Sequence, residues 1–155
     1  MYNTLLFLSR NIFFYDKIKL PDTYETRLYL MFLHFSIVLI IYKKKKLLFN
    51  QKSYDLLFQN IENNLRELGF GDVSVNKKMK EINKTLYDIL LKLDISSNTN
   101  KFKINPALIM KYFNQLNTSE NTEYVHLETY FNKFFHFCFE HSLDNMIEKI
   151  KNFKI

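Results

Sequence analysis

Hydrophobic residues recur at helical spacing along most of this chain. Two consecutive stretches show the pattern most clearly, residues 51–68 and the residues from Asp72 onwards. The apolar positions are Tyr54, Leu57, Phe58, Ile61, Leu65 and Leu68 in the first, and Val75, Met79, Ile82, Leu86, Ile89 or Leu90, and Leu93 in the second. Intervals of three and four residues place such side chains on one face of an α-helix. The pattern predicts two amphipathic helices, the second of them capped by Asp72 or Ser74.

The only two glycines of the chain, Gly69 and Gly71, lie between these two helices. Gly69 follows the last apolar position of the first helix, where a glycine in the left-handed conformation commonly ends a helix. Phe70 occupies the position of the apolar contact that accompanies such an ending. Gly71 offers a second backbone position without a Cβ. We therefore predict a tight helix-to-helix turn, called the two-glycine turn below.

The other hydrophobic stretches predict four further helices. They are 3–13, 22–42, 105–116 and 123–153, the last with a break near Ser142 left open. Asp22 as N-cap and Glu25 form a capping pair, and Asn105 with Pro106 begins the 105–116 helix. The polar segments 94–103 and 117–122 are predicted to be loops.

Composition supports an all-α fold. Hydrophobic residues make up 47% and aromatic residues 17% of the 155, which is enough for a buried core and too apolar for disorder. Two glycines and two prolines leave little of the turn chemistry that a multi-stranded sheet needs. We therefore predict a single compact helical domain, residues 1–155, of about six to seven helices.

The most apolar stretch is Leu28–Tyr42, which is interrupted only by His34 and Ser36. As a helix it would span about 22 Å, whereas a bilayer core needs about 30 Å. We interpret it as a buried central helix, with His34 as a neutral, hydrogen-bonded core imidazole. An interfacial helix stays open, because Lys43–Lys46 follow at once and would suit an anionic membrane surface. The same lysines could instead be a solvated helix end that complements the helix dipole.

The net charge is +6, and only three of the 22 basic residues are arginines, namely Arg10, Arg27 and Arg66. A bias towards lysine and asparagine is typical of AT-rich genomes, so the positive charge alone says little about partners. Where such a chain has arginine instead of lysine, the arginine is a candidate for a contact that needs the two parallel hydrogen bonds of a guanidinium group. The aromatic residues lie at core spacing rather than between lysines on one surface, which does not favour RNA binding as the main function.

No arrangement of residues favours catalysis. The candidate metal ligands near the C-terminus are His126, His136, Cys138 and His141. Their spacing prevents convergence from one regular helix, and aromatic residues surround them, so we predict core or interface packing instead. The glycines lack the flanking residues of a phosphate loop. We expect no enzyme, no cofactor, no metal and no small-molecule substrate, and the single cysteine excludes an intrachain disulfide.

Two segments resemble the ubiquinol–cytochrome c chaperone family. The first carries a pattern in which Leu-Arg-Glu-Leu-Gly-x-Gly-Asp is followed by Val and a basic, Met-bearing helix. Its residues are Leu65, Arg66, Glu67, Leu68, Gly69, Gly71, Asp72, Val75, Lys77, Lys78 and Met79, and the second segment supplies Pro21, Asp22, Thr23, Arg27, Leu33 and His34. The resemblance covers roughly residues 2–91 and, more loosely, the 104–116 helix. Asn60 and Asp88 depart from the family pattern, which often has an acidic residue and a glycine there.

The resemblance implies an α-helical, non-catalytic assembly factor for ubiquinol–cytochrome c reductase (complex III). Such a protein would bind cytochrome b or an early assembly intermediate, with a small co-chaperone as a further partner. Residues 1–20 show neither a secretory signal nor a mitochondrial presequence. We therefore expect a bacterial form that is cytoplasmic and peripheral at the inner face of the cytoplasmic membrane.

The residues expected to contact a partner follow from the family pattern. They are Pro21, Asp22, Arg27, His34, Arg66, Glu67, Gly69, Gly71, Asp72, Val75 and Lys78, and Lys43, Lys44, Lys45 and Lys46 are candidates for contact with a membrane or ribosomal RNA. An apolar client surface is expected on the Phe-rich C-terminal helix or on Leu28–Tyr42. Two other functions stay open. One is a membrane-associated structural protein anchored through residues 28–46, and the other is a ribosome-contacting factor.

Overall fold

The computed structural model describes residues 1–96, 102–116 and 122–153. These ranges contain seven α-helices of at least seven residues, one five-residue helix and two 3-10 turns, with no strand among them. The helices are α1 (Tyr2–Ser9), α2 (Ile12–Asp16), α3 (Tyr24–Lys44), α4 (Gln51–Glu67), α5 (Asp72–Ser96), α6 (Pro106–Tyr112), α7 (Thr122–Glu140) and α8 (Leu143–Lys149). The 3-10 turns are Asn114–Leu116 and Ile150–Asn152. The prediction of an all-α fold with six to seven helices is confirmed, and the extent of the domain stays a prediction.

Helix α3 is the centre of the fold. It packs against α1, α5 and α7, and thirteen of its residues are buried. By length and composition it could cross a membrane, but 72% of its most apolar 18-residue window is buried among the other helices. A helix that is apolar on nearly all sides and surrounded in this way is a core helix. The interpretation of Leu28–Tyr42 as a buried central helix agrees with this packing.

The apolar faces of α4 and α5 lie where their spacing predicts. Leu57, Ile61 and Leu65 of α4 are buried. In α5 the buried positions are Val75, Ile82, Leu86, Ile89 and Leu93, with Met79 and Leu90 partly buried against the core. Leu68 is the exception, since it is 61% exposed just after the end of α4.

Two predictions about the first helices, an unbroken 3–13 helix and an Asp22 N-cap, are wrong because other side chains bind the backbone N–H groups. The predicted 3–13 helix is split, since Asn11 accepts a hydrogen bond from the Phe13 N–H (3.0 Å) and caps a new helix, α2. The N-cap of α3 is Thr23 rather than Asp22, because Thr23 Oγ1 accepts the Thr26 N–H at 3.2 Å. Asp22 binds Arg27 instead.

The later boundaries follow the sequence more closely. Asn105 caps α6 by accepting the Ala107 N–H at 3.0 Å, although α6 ends at Tyr112 and a 3-10 turn completes the predicted stretch. Ser142 marks the break between α7 and α8. Helix α5 continues to Ser96, three residues into the predicted loop. The rest of that loop and the predicted link after α6 lie largely outside the described residues, at 97–101 and 117–121.

Candidate partner-binding site

The two-glycine turn has the geometry that its sequence predicts at Gly69. The φ angle of Gly69 is +90°, which is left-handed. Its N–H donates to the Arg66 carbonyl at 2.9 Å, and the Phe70 N–H donates to the Leu65 carbonyl at 3.2 Å. These two bonds define the Schellman ending of a helix. Glycine is the residue that adopts this conformation without steric cost.

Gly71 does not need its conformational freedom. Its φ lies outside the left-handed region, and a Cβ there would meet nothing within 4 Å. The Gly71 carbonyl accepts the Val75 N–H at 2.9 Å, which is the first hydrogen bond of α5. Gly71 therefore occupies the N-cap position, and Asp72 is the first helical residue rather than the cap. The freedom that a residue without a Cβ offers at position 71 is therefore not used.

Arg66 forms ion pairs on both sides of the two-glycine turn. Its guanidinium binds Glu62 on α4 at 2.8 Å and also binds Asp72 at the start of α5. Both hydrogen bonds raise the pKa of Arg66, the one to Glu62 contributing more. The Asp72 carboxylate also lies in the first turn of α5, where negative charge is favourable. Arg66 therefore links the last turns of α4 to the start of α5 through ion pairs at the surface.

A cleft of about 270 Å³ opens beside this turn, between α1, α3 and α4. Its apolar lining is Leu6, Leu28, Met31, Ile61 and Leu68, and its polar lining is Tyr2, Arg10, Tyr24, Arg27, Asn64 and Glu67. Apolar lining with a few convergent polar groups is the usual character of a binding pocket. The cleft can therefore hold an apolar side chain of a partner while its charged residues orient the polar groups around it.

Arg27 is held in place by Asp22. Its Nε and Nη2 donate to the two carboxylate oxygens, each at 2.7 Å, which is the bidentate arrangement that arginine favours. This hydrogen bonding lowers the pKa of Asp22 below its usual range. Arg10 lines the same cleft and an adjoining concavity with Asp22 and Arg27, and no ion pair to it occurs within the described ranges.

Lys78 lies on the other side of α3. It lines a smaller concavity that shares Tyr24 and Leu28 with the cleft. Its ammonium lies 4.6 Å from the centre of the Phe70 ring, a cation–π contact across the two-glycine turn. Asp22, Arg27, Glu67 and Lys78 are therefore gathered around one end of α3, although they come from three helices and a connecting segment.

Exposed apolar side chains also occur at the two-glycine turn. Leu68 is 61% exposed, Phe70 38% and Val73 85%. The expectation of a client surface on Leu28–Tyr42 or on the Phe-rich C-terminal helix is wrong for most of those residues. Helix α3 packs against α1, α5 and α7, and aromatic side chains of α7 contact α2 and α3, so both helices are used for the core.

His34 and Val75 belong to the family pattern but cannot touch a partner in this structure, because both are fully buried. His34 Nδ1 donates to the Leu30 carbonyl (2.6 Å), which leaves Nε2 to accept the Tyr130 hydroxyl proton at 2.8 Å. Burial lowers the pKa of His34 to about 4, against a smaller opposing effect of the Leu30 bond. His34 is thus a neutral core residue that joins α3 to α7.

Two other predicted groups stand apart from the cleft. Pro21 is exposed just before α3. Lys43–Lys46 lie at the far end of α3, about 20–30 Å along the helix axis from the α3 residues that line the cleft.

Sequence reasoning missed the α1 side of the cleft. Tyr2 accepts a hydrogen bond from the Asn64 side chain, which ties the first turn of α1 to the end of α4. Arg10 follows α1 and faces the same space. No local signal pairs residues so far apart along the chain. The scarcity of arginine was the one available indication, and it applied to Arg10 as it did to Arg27 and Arg66.

The cleft presents arginine, tyrosine, asparagine and glutamate side chains beside its apolar lining. Across the described ranges, no cluster of three His, Cys, Asp or Glu side chains could hold a metal ion. The single cysteine, Cys138, is fully buried in α7, and burial raises the pKa of its thiol. A thiol in that state is a poor nucleophile.

The fold and the cleft define a class, an all-α protein with a mixed apolar and charged groove at one end of its central helix. Within that class the chain belongs to the ubiquinol-cytochrome C chaperone family, which matches residues 16–132. No curated protein and no solved structure matches the chain. Family membership supports a chaperone role in ubiquinol–cytochrome c reductase assembly, implies a non-enzymatic role, and implies interaction with components of that complex.

The match confirms the resemblance and changes its limits. It begins at residue 16, so α1 and nearly all of α2 lie outside it, and it continues to residue 132 in α7. The two family-like segments and the two-glycine turn fall within the match. The α1 wall of the cleft, with Tyr2 and Arg10, does not.

Proposed function

We propose that this chain is a non-catalytic chaperone that binds cytochrome b or an early complex III assembly intermediate through the cleft and the two-glycine turn. One observation carries the proposal. The two family-like segments, 21–34 and 65–79, are separate in sequence, yet they meet around the cleft at one end of α3. Convergence of this kind is expected of a binding surface, and packing alone would not require the exposed members.

The geometry suits a preformed site. Asp22 holds Arg27, and Arg66 holds the turn, so binding would order few side chains. Leu68, which lines the cleft, is 61% exposed, and Val73 at the start of α5 is 85% exposed, so apolar side chains are presented on both sides of the two-glycine turn. An apolar segment of the client would lie across these side chains. Arg10 and Glu67 would bind polar or charged residues on either side of that segment.

The site of action in this proposal is the cytoplasmic face of the membrane, with a small co-chaperone as a further partner. A client that is a membrane protein supports such a location. Anchoring through α3 is less well supported, because most of its apolar surface is used inside the fold. No feature of the described residues favours the ribosome over the membrane.

A complementation experiment tests the cleft. Leu68→Gln/Val73→Gln, introduced into a strain lacking the chromosomal copy, is expected to lower assembled complex III at least severalfold with its transcripts unchanged. Both side chains are exposed, so the fold should tolerate the change. Leu91→Gln is the matched control, since Leu91 is 62% exposed on α5 and outside the cleft.

A crosslinking measurement makes the test direct. A photoreactive residue at position 73 is expected to capture cytochrome b or its assembly intermediate from cells, and one at position 91 is not. Normal complex III in the double variant, with no capture from position 73, would exclude the cleft as the client site. Normal complex III in the deletion strain would exclude the function itself.

A further inference from the structure

The end of α3 remote from the cleft carries a second unusual surface. It consists of Lys43–Lys46, Leu47 and Leu48, which close α3 and begin the connection to α4, and it is called the lysine–leucine tip below. Leu47 is 55% exposed and Leu48 is 97% exposed. Leu48 thus contributes almost nothing to the core, although burying a leucine side chain would stabilise the fold by about 1.5–3 kcal/mol.

The backbone of the tip is ordered by the same motif as the two-glycine turn. The Lys46 N–H donates to the Lys43 carbonyl at 3.0 Å, and the Leu47 N–H donates to the Tyr42 carbonyl at 3.0 Å. Lys46 occupies the left-handed position with a φ of 55°, where Gly69 stands in the other turn. Lysine pays a steric cost there that glycine avoids. The charge of Lys46 is therefore placed at a position where local stability favours a different residue.

The neighbouring side chains hold the tip against the body of the protein. Lys45 Nζ donates to the His141 carbonyl at 2.7 Å and lies 5.4 Å from the centre of the Phe139 ring. Phe139 is 43% exposed. Glu140, the residue after it, is exposed and acidic, and Lys52, also exposed, follows at the start of α4.

We propose that the lysine–leucine tip docks onto a bilayer containing anionic lipids, with Leu47 and Leu48 entering the interface and the lysines contacting the headgroups. Each basic residue near an anionic membrane contributes about 1 kcal/mol to the free energy of binding. Apolar side chains add to it by leaving water for the membrane interface. Nucleic acid would explain the lysines but not the leucines, because single strands are bound by flat aromatic side chains. The combination of charge and exposed aliphatic residues favours lipid.

The inference deepens the proposed location at the membrane and rests on that part of the proposed function. The tip and the cleft are at opposite ends of α3, about 20–30 Å apart along the helix axis. Lipid binding by the tip therefore leaves the cleft open to a client. The test needs neither cytochrome b nor complex III, so its failure is distinct from a failure of the chaperone proposal.

Vesicle flotation with the purified full chain tests the tip. The protein is expected to float with vesicles of phosphatidylcholine and phosphatidylglycerol and to stay behind with phosphatidylcholine alone. Lys46→Gln should weaken binding by about fivefold. The matched control is Lys80→Gln, which removes the same charge from an exposed position on α5. Leu47→Ser/Leu48→Ser should weaken binding at least tenfold.

Lys46→Gly separates binding from folding. Relief of the left-handed lysine is expected to raise the Tm, while loss of the charge lowers the affinity for anionic vesicles by about fivefold. If Lys46 had only a structural role, Lys46→Gly would not raise the Tm and lower the vesicle affinity at the same time. Equal losses in the α5 control, vesicle binding that is indifferent to the leucines, or no flotation at all would each overturn the proposal. Salt-sensitive RNA binding without vesicle binding would assign the lysines to nucleic acid and overturn it as well.

Discussion

His34 shows how a single residue can carry a family pattern without touching a partner. Its ring is completely buried, with both nitrogens hydrogen-bonded, and Phe131 and Phe134 lie against it at ring-centre distances of 4.9 and 4.8 Å. The bond from Tyr130 crosses from α7 to α3, and it requires the neutral imidazole because Nε2 must accept. A proton on this ring would lose that bond and place a charge in the core.

Stability is therefore expected to fall on acidification below the ordinary pKa of histidine. The folded pKa of about 4 lies below the unfolded value of about 6.5, so the unfolded state binds the proton first between these limits. Stability from this residue is fully present above about pH 6.5 and declines by up to about 1.4 kcal/mol per pH unit towards pH 4. Urea unfolding at pH 7.5 and pH 5 should differ by about 2 kcal/mol from this source.

The variant His34→Gln should reduce this pH-dependent difference while lowering stability at both pH values. Leu33→Val is the matched core variant, because Leu33 is equally buried on the same helix and does not titrate. Leu33→Val should lose the same amount of stability at both pH values, so the dependence of the unfolding free energy on pH should stay as in the unchanged protein. An unchanged slope in His34→Gln would contradict the assignment of His34 as a titrating core group.

At the scale of elements, the two glycines of one turn have unequal roles. Gly69→Ser places a side chain at a φ of +90° and is expected to cost about 1 kcal/mol. Gly71→Ser is the matched change two residues away, at an N-cap position with open space around the Cβ. Serine is favoured at N-caps, so stability should stay within about 0.5 kcal/mol or rise. Urea unfolding measures both, and equal losses would contradict the two assigned roles.

Most helices were predictable from the sequence, but side-chain caps that interrupt a helix and contacts between distant helices were not. Spacing of three and four residues locates α4, α5 and the turn between them, because each depends on local geometry. The cap at Asn11 was missed because its side chain competes with continued helix formation, which periodicity does not report. The link from Asp88 on α5 to Lys111 and Tyr112 of α6 joins residues 23 and 24 positions apart, beyond the range of any helical pattern.

The candidate site was predictable to the same extent. The two-glycine turn and the Asp22–Arg27 segment are local, so their residues could be named in advance. The cleft itself depends on α1 returning to α4, where Tyr2 meets Asn64 across 62 positions of sequence. Exposure of Leu68 could not be read from the pattern either, because it occupies an apolar position one residue beyond the end of α4.

The whole molecule is organised along α3, with the cleft at its beginning and the lysine–leucine tip at its end. Helix α4 runs back beside it and brings the two-glycine turn to the cleft. Substitutions about 20–30 Å apart that share no partner are expected to act independently. This arrangement would let one end face a membrane surface while the other holds a client.

Independence of the two ends is testable with variants already defined. Leu68→Gln/Val73→Gln should bind anionic vesicles as well as the unchanged protein, and Leu47→Ser/Leu48→Ser should still crosslink from position 73 to its client in a detergent extract. In membranes, where the tip raises the local concentration of the chaperone, the tip variant should capture less. Combining all four substitutions should multiply the separate losses of assembled complex III in cells. Loss of vesicle binding in the cleft variant would mean that the two surfaces are coupled, contrary to their placement at opposite ends of α3.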